Sequence, residues 1–222
     1  MTPETAERYH RQLDIVDQER LAELPVTIVG AGAIGSFTTF VLAKMGAHAL
    51  TVWDFDEIEP VNLPNQFFPE DAVGRNKAEA TARLVERFEG VSIEARPVAF
   101  EDGEVGSVVV TAVDSIEVRR AIWEHVRFRP GVDLLIDGRM GAEVAELHAV
   151  RPDRPRQVRA YGESLHDPVD AVEAPCTAKS TIWCAGSVAS LIAGTVVKFL
   201  MQRPFPRKTV FDLAQTHLVT ER

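Results

Sequence analysis

Short apolar runs alternate with longer amphipathic segments along most of the chain. The apolar runs predict β-strands near residues 26–29, 49–53, 91–97, 107–113 and 134–136. The segments between them carry apolar residues at helical spacing, over about residues 34–45, 76–88 and 116–126. Because strands that alternate with helices build a parallel sheet, we predict an α/β, Rossmann-like fold with a mostly parallel sheet and helices on both faces.

The two ends of the chain follow different patterns. Residues 3–23 are amphipathic and charged, which predicts an N-terminal helical arm within residues 1–23. Residues 143–150 and 209–213 read as strands, so we expect antiparallel strands toward the C-terminal part. Residues 151–180 are rich in proline and charge and show no period, which predicts a long loop. Nothing in the pattern divides the chain, and we expect a single domain over all 222 residues.

An uncharged stretch, residues 180–197, is long enough to approach a membrane-spanning helix. It lies between Lys179 and Lys198, its hydrophobicity is moderate, and it is rich in alanine, glycine and serine. Because small residues permit close approach of two backbones, we expect a helix buried in the fold or at a dimer interface, and no membrane association.

The composition excludes several classes of protein. Acidic residues outnumber basic ones by 33 to 24, and the net charge of −9 disfavours a general nucleic-acid binder because phosphates are repelled. The two cysteines, Cys176 and Cys184, are too few for a disulfide framework or a four-cysteine zinc site. The first twelve residues show no apolar segment of the kind found in signal peptides, so we expect a cytoplasmic protein.

A glycine motif follows the first predicted strand. Gly30, Gly32 and Gly35 match G-x-G-x-x-G between a strand and a helix, and Asp54 ends the next strand. In this motif the first glycine allows a tight turn, the second lets a phosphate approach the backbone, and the third lets helix and strand pack closely. An acid at the position of Asp54 accepts hydrogen bonds from a ribose. The motif therefore favours nucleotide binding over a purely structural turn, without separating NAD, FAD and ATP.

Further motifs narrow the choice of nucleotide. In chain order they are Arg8-Tyr9-His10-Arg11-Gln12, the glycine loop, Asp54-Phe55-Asp56, Val61-Asn62-Leu63, Val73-Gly74-Arg75-Asn76-Lys77 and Thr111-Ala112-Val113-Asp114. This ordered set resembles the ThiF/MoeB/HesA-type proteins, bacterial relatives of ubiquitin-activating enzymes. The resemblance implies ATP-dependent adenylation of the C-terminal carboxylate of a small ubiquitin-like or sulfur-carrier protein that ends in Gly-Gly. The implied cofactors are ATP and Mg²⁺.

The resemblance also implies roles for individual residues, each of which has a simpler structural alternative. Lys77 would contact the ATP phosphates, or be a solvated surface lysine. Asp114 would hold Mg²⁺, or cap the helix that follows it. Arg11 would reach the γ-phosphate of the other subunit of a homodimer, or form a surface salt bridge. Asn62 would lie near the phosphates, or cap a loop, and Asp56 belongs to the implied nucleotide-binding set.

One position departs from the family pattern. The family commonly has Asn-Leu-x-Arg-Gln where this chain has Asn62-Leu63-Pro64-Asn65-Gln66. Asn65 therefore occupies the position of a phosphate-binding arginine, and it can donate a hydrogen bond but brings no charge. Losing a charge-assisted contact typically costs about 1.5–3 kcal/mol. Arg75 is a candidate substitute for the missing cation.

The cysteines have different expected roles. By the resemblance, Cys176 in Pro175-Cys176-Thr177 is the candidate nucleophile for a thioester with the carrier protein. Cys184 lies within the apolar stretch and is expected to be a buried small hydrophobic residue. The pairs of Cys-x-x-Cys that hold structural zinc in the usual relatives are absent, so we predict no zinc.

Two other functions remain open at this point. Asn65 permits a non-catalytic partner subunit or scaffold of the same fold. The glycine loop with Asp54 permits an NAD-linked oxidoreductase, which leaves Arg11, Lys77 and Asp114 unexplained.

Overall fold

The computed structural model describes residues 3–165 and 181–222. In these residues the strands are β1 (Val26–Val29), β2 (Leu50–Trp53), β3 (Glu94–Arg96), β4 (Val108–Thr111), β5 (Leu134–Gly141), β6 (Val144–Val150), β7 (Lys208–Asp212) and β8 (His217–Glu221). They form one eight-stranded sheet in the order β3-β2-β1-β4-β5-β6-β7-β8. The α-helices are α1 (Pro3–Arg8), α2 (Gln18–Glu23), α3 (Ala33–Lys44), α4 (Lys77–Glu89), α5 (Ile116–Val126), α6 (Pro155–Glu163) and α7 (Ile182–Leu200).

The sheet has a parallel half and an antiparallel half. Strands β3, β2, β1, β4 and β5 pair in parallel, whereas β5 to β8 pair antiparallel. The parallel strands β1 and β4 are buried at every residue, as expected when helices cover both faces of a sheet. The predicted Rossmann-like fold, with antiparallel strands toward the C-terminal part, is confirmed.

Two apolar cores lie on opposite faces of the sheet. One contains Ile28 and Val110 from the strands and Ile192 from α7, and α3 and α4 contribute to it. The other contains Val109 from β4, Trp123 from α5 and Tyr161 from α6. Because successive strand residues point to opposite faces, Val109 and Val110 belong to different cores.

The apolar stretch forms α7, which packs against α3, β5 and β6. By length and composition α7 is apolar enough to cross a bilayer, with a mean hydropathy of 1.6, but half of this window is buried inside the fold. The expectation of a helix buried in the fold is therefore confirmed.

The arm at residues 3–23 is helical as predicted but is divided into α1, a 3-10 turn at His10–Gln12 and α2, which starts anew because the Asp17 side chain accepts a hydrogen bond from the backbone N–H of Arg20. The prediction of a loop at 151–180 is wrong for the part that forms α6, whose first residue, Pro155, is favourable at a helix start. Residues 166–180 of that predicted loop lie outside the described residues.

Candidate active site

The glycine loop joins β1 to α3 and packs tightly at two of its three glycines. Gly30 has φ +94°, and a Cβ there would lie 2.7 Å from the carbonyl oxygen of Ala112. A Cβ on Gly35 would lie 1.7 Å from the carbonyl oxygen of Gly30, so helix and strand are in direct backbone contact. At Gly32, by contrast, the nearest atom to such a Cβ is Nε2 of Gln66, at 3.9 Å. The space above Gly32, at the start of α3, is therefore open to a ligand.

Asp54, just after β2, holds the glycine loop from the side. Its Oδ2 accepts a hydrogen bond from the backbone N–H of Ala31 at 2.6 Å, and its Oδ1 accepts from the N–H of Asp56 at 2.8 Å. Burial raises the pKa of the Asp54 carboxyl, and these two backbone hydrogen bonds act in the opposite direction. A carboxylate has further lone pairs, so Asp54 can still accept from a ribose.

Lys77 is the first residue of α4 and is only 8% exposed. Its Nζ lies 2.9 Å from Oδ2 of Asp56, whose side chain is 49% exposed. Asn76 caps α4 and donates to the backbone carbonyls of Asp54 and Asp56, at 2.9 and 3.1 Å. These contacts place Lys77 beside Asp54 and the glycine loop, so the alternative of a solvated surface lysine is wrong.

The segment that follows β2 folds back over α3. Asn62 ends a 3-10 turn at Pro60–Asn62, and its Oδ1 accepts from the N–H of Glu59 at 2.9 Å, which is the loop cap considered for this residue. The backbone carbonyl of Asn62 accepts from the N–H groups of Asn65 and Gln66, at 3.2 and 3.0 Å. Gln66 is 9% exposed, lies next to Gly32, and its Oε1 has no hydrogen-bond partner among the described residues. The sequence analysis quoted Gln66 in a motif but gave it no role.

Asp114 follows β4 and is exposed. Its loop lies against the glycine loop, since Ala112 and Val113 are the nearest neighbours of the Gly30 Cβ position. The N-cap of α5 is Ser115, whose hydroxyl accepts from the N–H of Val118 at 3.2 Å. The alternative role of Asp114 as that cap is therefore wrong, and its carboxylate faces solvent at the carboxyl end of the sheet.

Arg11 is not part of this group within one protomer. It is exposed in the 3-10 turn at His10–Gln12, where Gln12 donates to the backbone carbonyl of Met45 at 2.7 Å. Met45 is the C-cap of α3, whereas the glycine loop is at the other end of that 12-residue helix, about 18 Å away at 1.5 Å per residue. Arg11 therefore does not reach the glycine loop of its own chain, and its predicted contact across a dimer remains a prediction.

The family model for the ThiF family matches residues 8–221, nearly the whole chain. The chain belongs to the ThiF family. Sequence similarity also relates this ThiF-family chain to ubiquitin-like modifier-activating enzyme 5 of Drosophila mojavensis, 30% identical over 132 residues that cover 50% of this chain and 33% of the fly protein. The Aedes aegypti enzyme of the same name is 28% identical over 127 residues, covering 49% and 32%. The chain thus spans about a third of the length of the curated relatives it matches.

Solved structures show the same fold at lower identity. PaaA superposes with a TM-score of 0.76 at 19% identity, covering 100% of this chain and 84% of PaaA. E. coli MccB, crystallised with ATP, gives a TM-score of 0.76 at 20% identity, covering 97% and 71%. At such identities the likeness establishes the ThiF-type fold.

A buried polar cluster in this ThiF-family chain escaped the sequence analysis. Asp137 of β5 is fully buried, and its carboxylate accepts from Arg119, Arg139, Tyr161 and Thr111. It lies opposite Thr111 in the register of β4 and β5, close to where Asp114 begins the next loop. The available signal was an aspartate that ends the apolar run 134–136, since a charge in a central strand needs a buried partner.

Asp114 is the residue of this site that could hold a metal ion together with a nucleotide. Among the residues of the ranges 3–165 and 181–222, no three His, Cys, Asp or Glu side chains are grouped to hold a metal ion. Mg²⁺ usually binds through one or two carboxylates together with substrate phosphates. The exposed carboxylate of Asp114 and the open space at Gly32 fit that requirement.

The two cysteines are placed differently. Cys184 is a free, fully buried thiol on α7, as predicted, and burial raises its pKa. Cys176 lies outside the described residues, and its role as a thioester nucleophile remains a prediction.

Proposed function

We propose that this chain uses Mg·ATP to adenylate the C-terminal carboxylate of a small ubiquitin-like or sulfur-carrier protein. The observation that carries the proposal is the open cradle at Gly32, with Lys77 on one side and Asp114 on the other. The names of the sequence relatives, ubiquitin-like modifier-activating enzymes, support a small protein as the partner.

In the proposed reaction a carboxylate oxygen of the carrier attacks the α-phosphorus of ATP. The bond from the α-phosphorus to the oxygen bridging to the β-phosphate breaks, pyrophosphate leaves with both electrons of that bond, and an acyl-adenylate remains. Mg²⁺, when bound, neutralises the phosphate charge that repels the attacking carboxylate. The backbone N–H groups at the start of α3 and the Lys77 ammonium bind the phosphates and orient them.

Pyrophosphate exchange tests the chemistry. We expect radiolabelled pyrophosphate to enter ATP only when a carrier protein ending in Gly-Gly, encoded by a neighbouring gene, is present. Asp114→Asn should abolish the exchange. The same carrier without its last two residues should also fail to support exchange by wild type. Absence of exchange with every carrier so encoded would refute adenylation of this class of substrate.

The partner subunit is part of the proposal because Arg11 lies far from its own site. Mixing Arg11→Ala protein with Lys77→Met protein should restore activity, since a mixed dimer has one site with both residues intact. With random pairing about half of the dimers are mixed, and each mixed dimer has one intact site of two. The mixture should therefore recover about a quarter of the wild-type activity. If the mixture stays as inactive as each variant alone, Arg11 does not act across a dimer.

A thioester at Cys176 is the second proposed step. In it the thiolate attacks the acyl carbon of the adenylate, and AMP leaves. A carrier adduct that dithiothreitol releases should form with wild type and with Cys184→Ala, but not with Cys176→Ala. An adduct that persists in Cys176→Ala would assign the thioester elsewhere.

Asn65 favours one alternative function, a partner subunit that binds nucleotide without turning it over. A thermal shift with Mg·ATP in the absence of any exchange, together with stimulation of an active homologue, would support this alternative.

A further inference from the structure

Arg119 is a buried cation next to the predicted magnesium ligand. It lies on α5, is 6% exposed, and donates through Nη1 to the Asp137 carboxylate and, at 3.2 Å, to the carbonyl oxygen of Gly138. Through Nη2 it donates to the carbonyl oxygen of Val113, the residue directly before Asp114. One guanidinium therefore joins strand β5 to the peptide that leads into Asp114.

The β5 end of this connection is rigid. Asp137 is fully buried in a central strand, and its carboxylate also accepts from Thr111 Oγ1 at 2.8 Å, Arg139 Nε at 2.7 Å and Tyr161 OH at 3.1 Å. A carboxylate with this many donors has little freedom to rotate. Arg119 is thereby held in one orientation, with its second nitrogen directed at Val113.

The Asp114 end needs such support. Asp114 is exposed on a short connection between the last residue of β4, Thr111, and the helix cap, Ser115. On one side Ala112 donates to the carbonyl of Val29 at 2.8 Å, and on the other Ser115 caps α5. Arg119 holds the Val113 carbonyl between these two points, and its positive charge attracts the Asp114 carboxylate.

We propose that Arg119 is a positioning residue that holds the Val113–Asp114 peptide so that the Asp114 carboxylate meets the metal of Mg·ATP. This inference rests on the proposed function, because it needs Asp114 to contact a nucleotide-bound metal. It predicts that Arg119 acts on the magnesium-dependent part of ATP binding and acts through Asp114. A guanidinium that merely stabilises the fold would weaken binding with and without magnesium alike.

The experiment compares ATP binding in Mg²⁺ and in EDTA by calorimetry. For wild type the dissociation constant in EDTA divided by that in Mg²⁺ measures how much the metal strengthens binding. Asp114→Asn should bring this ratio close to one. Arg119→Lys keeps the charge but loses the forked geometry, and it should lower the ratio about tenfold while changing the affinity in EDTA less than about twofold.

A double-mutant cycle separates positioning from general stability. If Arg119 acts through Asp114, adding Arg119→Lys to Asp114→Asn should have no further effect on the ratio. The matched control is Arg120→Lys on the same helix, since Arg120 donates to the carbonyl of Leu165, away from Val113. This control should retain the wild-type ratio.

The outcomes are distinguishable. If wild type binds no Mg·ATP, the proposed function fails and this inference fails with it. If wild type and Asp114→Asn behave as expected but Arg119→Lys keeps the wild-type ratio, or lowers it equally in the Asp114→Asn background, the inference alone is overturned. If circular dichroism shows that Arg119→Lys is unfolded, the experiment uses Thr111→Val instead, which removes one donor to Asp137. This variant should lower the ratio slightly, and an unchanged ratio overturns the inference.

Discussion

Alanine at Gly35 should lower the stability of the fold, whereas alanine at Gly32 should weaken ATP binding, although the two glycines belong to one loop. At Gly35 the new Cβ would lie 1.7 Å from the carbonyl oxygen of Gly30, about half of a normal contact distance. The atoms that this Cβ would overlap are the carbonyl oxygen and carbon of Gly30, which belong to the backbone. The start of α3 must therefore move away from the end of β1. Overpacking of this kind costs about 1–3 kcal/mol, and we expect about 3 kcal/mol here because no flexible side chain can move aside.

At Gly32 the new Cβ meets only Nε2 of Gln66, at 3.9 Å, and the backbone φ of −74° is ordinary for alanine. Loss of the glycine at this helix cap changes the unfolding free energy by less than about 1 kcal/mol. The methyl group occupies the space through which a phosphate would reach the α3 N–H groups. We therefore expect Gly32→Ala to bind ATP at least about tenfold more weakly, which is about 1.4 kcal/mol.

Thermal unfolding and calorimetry with Mg·ATP check both variants. For a chain of this length 1 kcal/mol shifts Tm by about 2–4 °C, so Gly35→Ala should melt about 6–12 °C below wild type and Gly32→Ala within about 4 °C of it. If Gly32→Ala binds ATP as tightly as wild type, the phosphates do not lie over Gly32. If Gly35→Ala is as stable as wild type, the close contact between α3 and β1 is not as described.

Three further predictions concern charged side chains. Lys77→Met keeps the buried stem but removes the ammonium, so the Kd for Mg·ATP should rise at least about tenfold by calorimetry, while Tm changes little because Asp56 is half exposed. Hydrogen bonding to His148 lowers the pKa of Glu146 from its usual 4.5 to about 2, so the stability that ionised Glu146 contributes is complete above pH 4.5 and is lost as the pH falls toward 2. Glu146→Gln should therefore remove about 1 kcal/mol from the pH dependence of the unfolding free energy, measured by denaturant titration. The same pH profile in wild type and variant would contradict this prediction. Glu89, buried between Lys44 at 2.6 Å and Arg8 at 2.9 Å, anchors the N-terminal arm, so Glu89→Gln should speed amide exchange in residues 4–12 and leave α5 unchanged.

The sheet and most helices were predictable because their signals are local. The apolar runs at 26–29 and 134–136 became β1 and the first residues of β5, and the pattern at 116–126 matches α5 to the residue. Strand β8 was missed because all five of its residues are exposed and no side of it shows an apolar pattern. It forms by pairing with β7, a contact between segments that sequence patterns do not report.

Helix α6 was missed for a related reason. Its only buried residue is Tyr161, so it has no apolar stripe of the usual width. It is held by polar contacts from elsewhere in the fold: Tyr161 donates to Asp137, Arg139 donates to Ser164, and Arg120 donates to Leu165. Such contacts join residues that are 24 to 45 positions apart, which a periodicity cannot anticipate.

The site residues also divide into those that local motifs indicate and those that depend on contacts between distant segments. The placement of the glycine loop and Asp54 follows from a motif whose geometry is local, and Lys77 and Asp114 are indicated by the family order of motifs; their roles stay predictions. The pairing of Lys77 with Asp56, and the cluster around Asp137, depend on how distant strands meet at the carboxyl edge of the sheet. Arg11 shows the limit most clearly, because its predicted partner is another molecule.

The charges gathered at the site explain why the asparagine at position 65 matters. Among the described residues around the glycine loop, Asp54, Asp56 and Asp114 are three carboxylates. Lys77 and Arg119 are cations, but the charge of Arg119 is already balanced by the buried Asp137. On the proposed function, a triphosphate that enters this site in a single subunit would meet net negative charge, so its binding would depend on cations supplied from outside the subunit. Mg²⁺ would provide two positive charges, and the Arg11 of a second subunit would provide another. A chain with arginine in place of Asn65 would carry part of this charge itself, and we therefore expect asparagine at this position to make nucleotide binding depend more strongly on metal and partner subunit together.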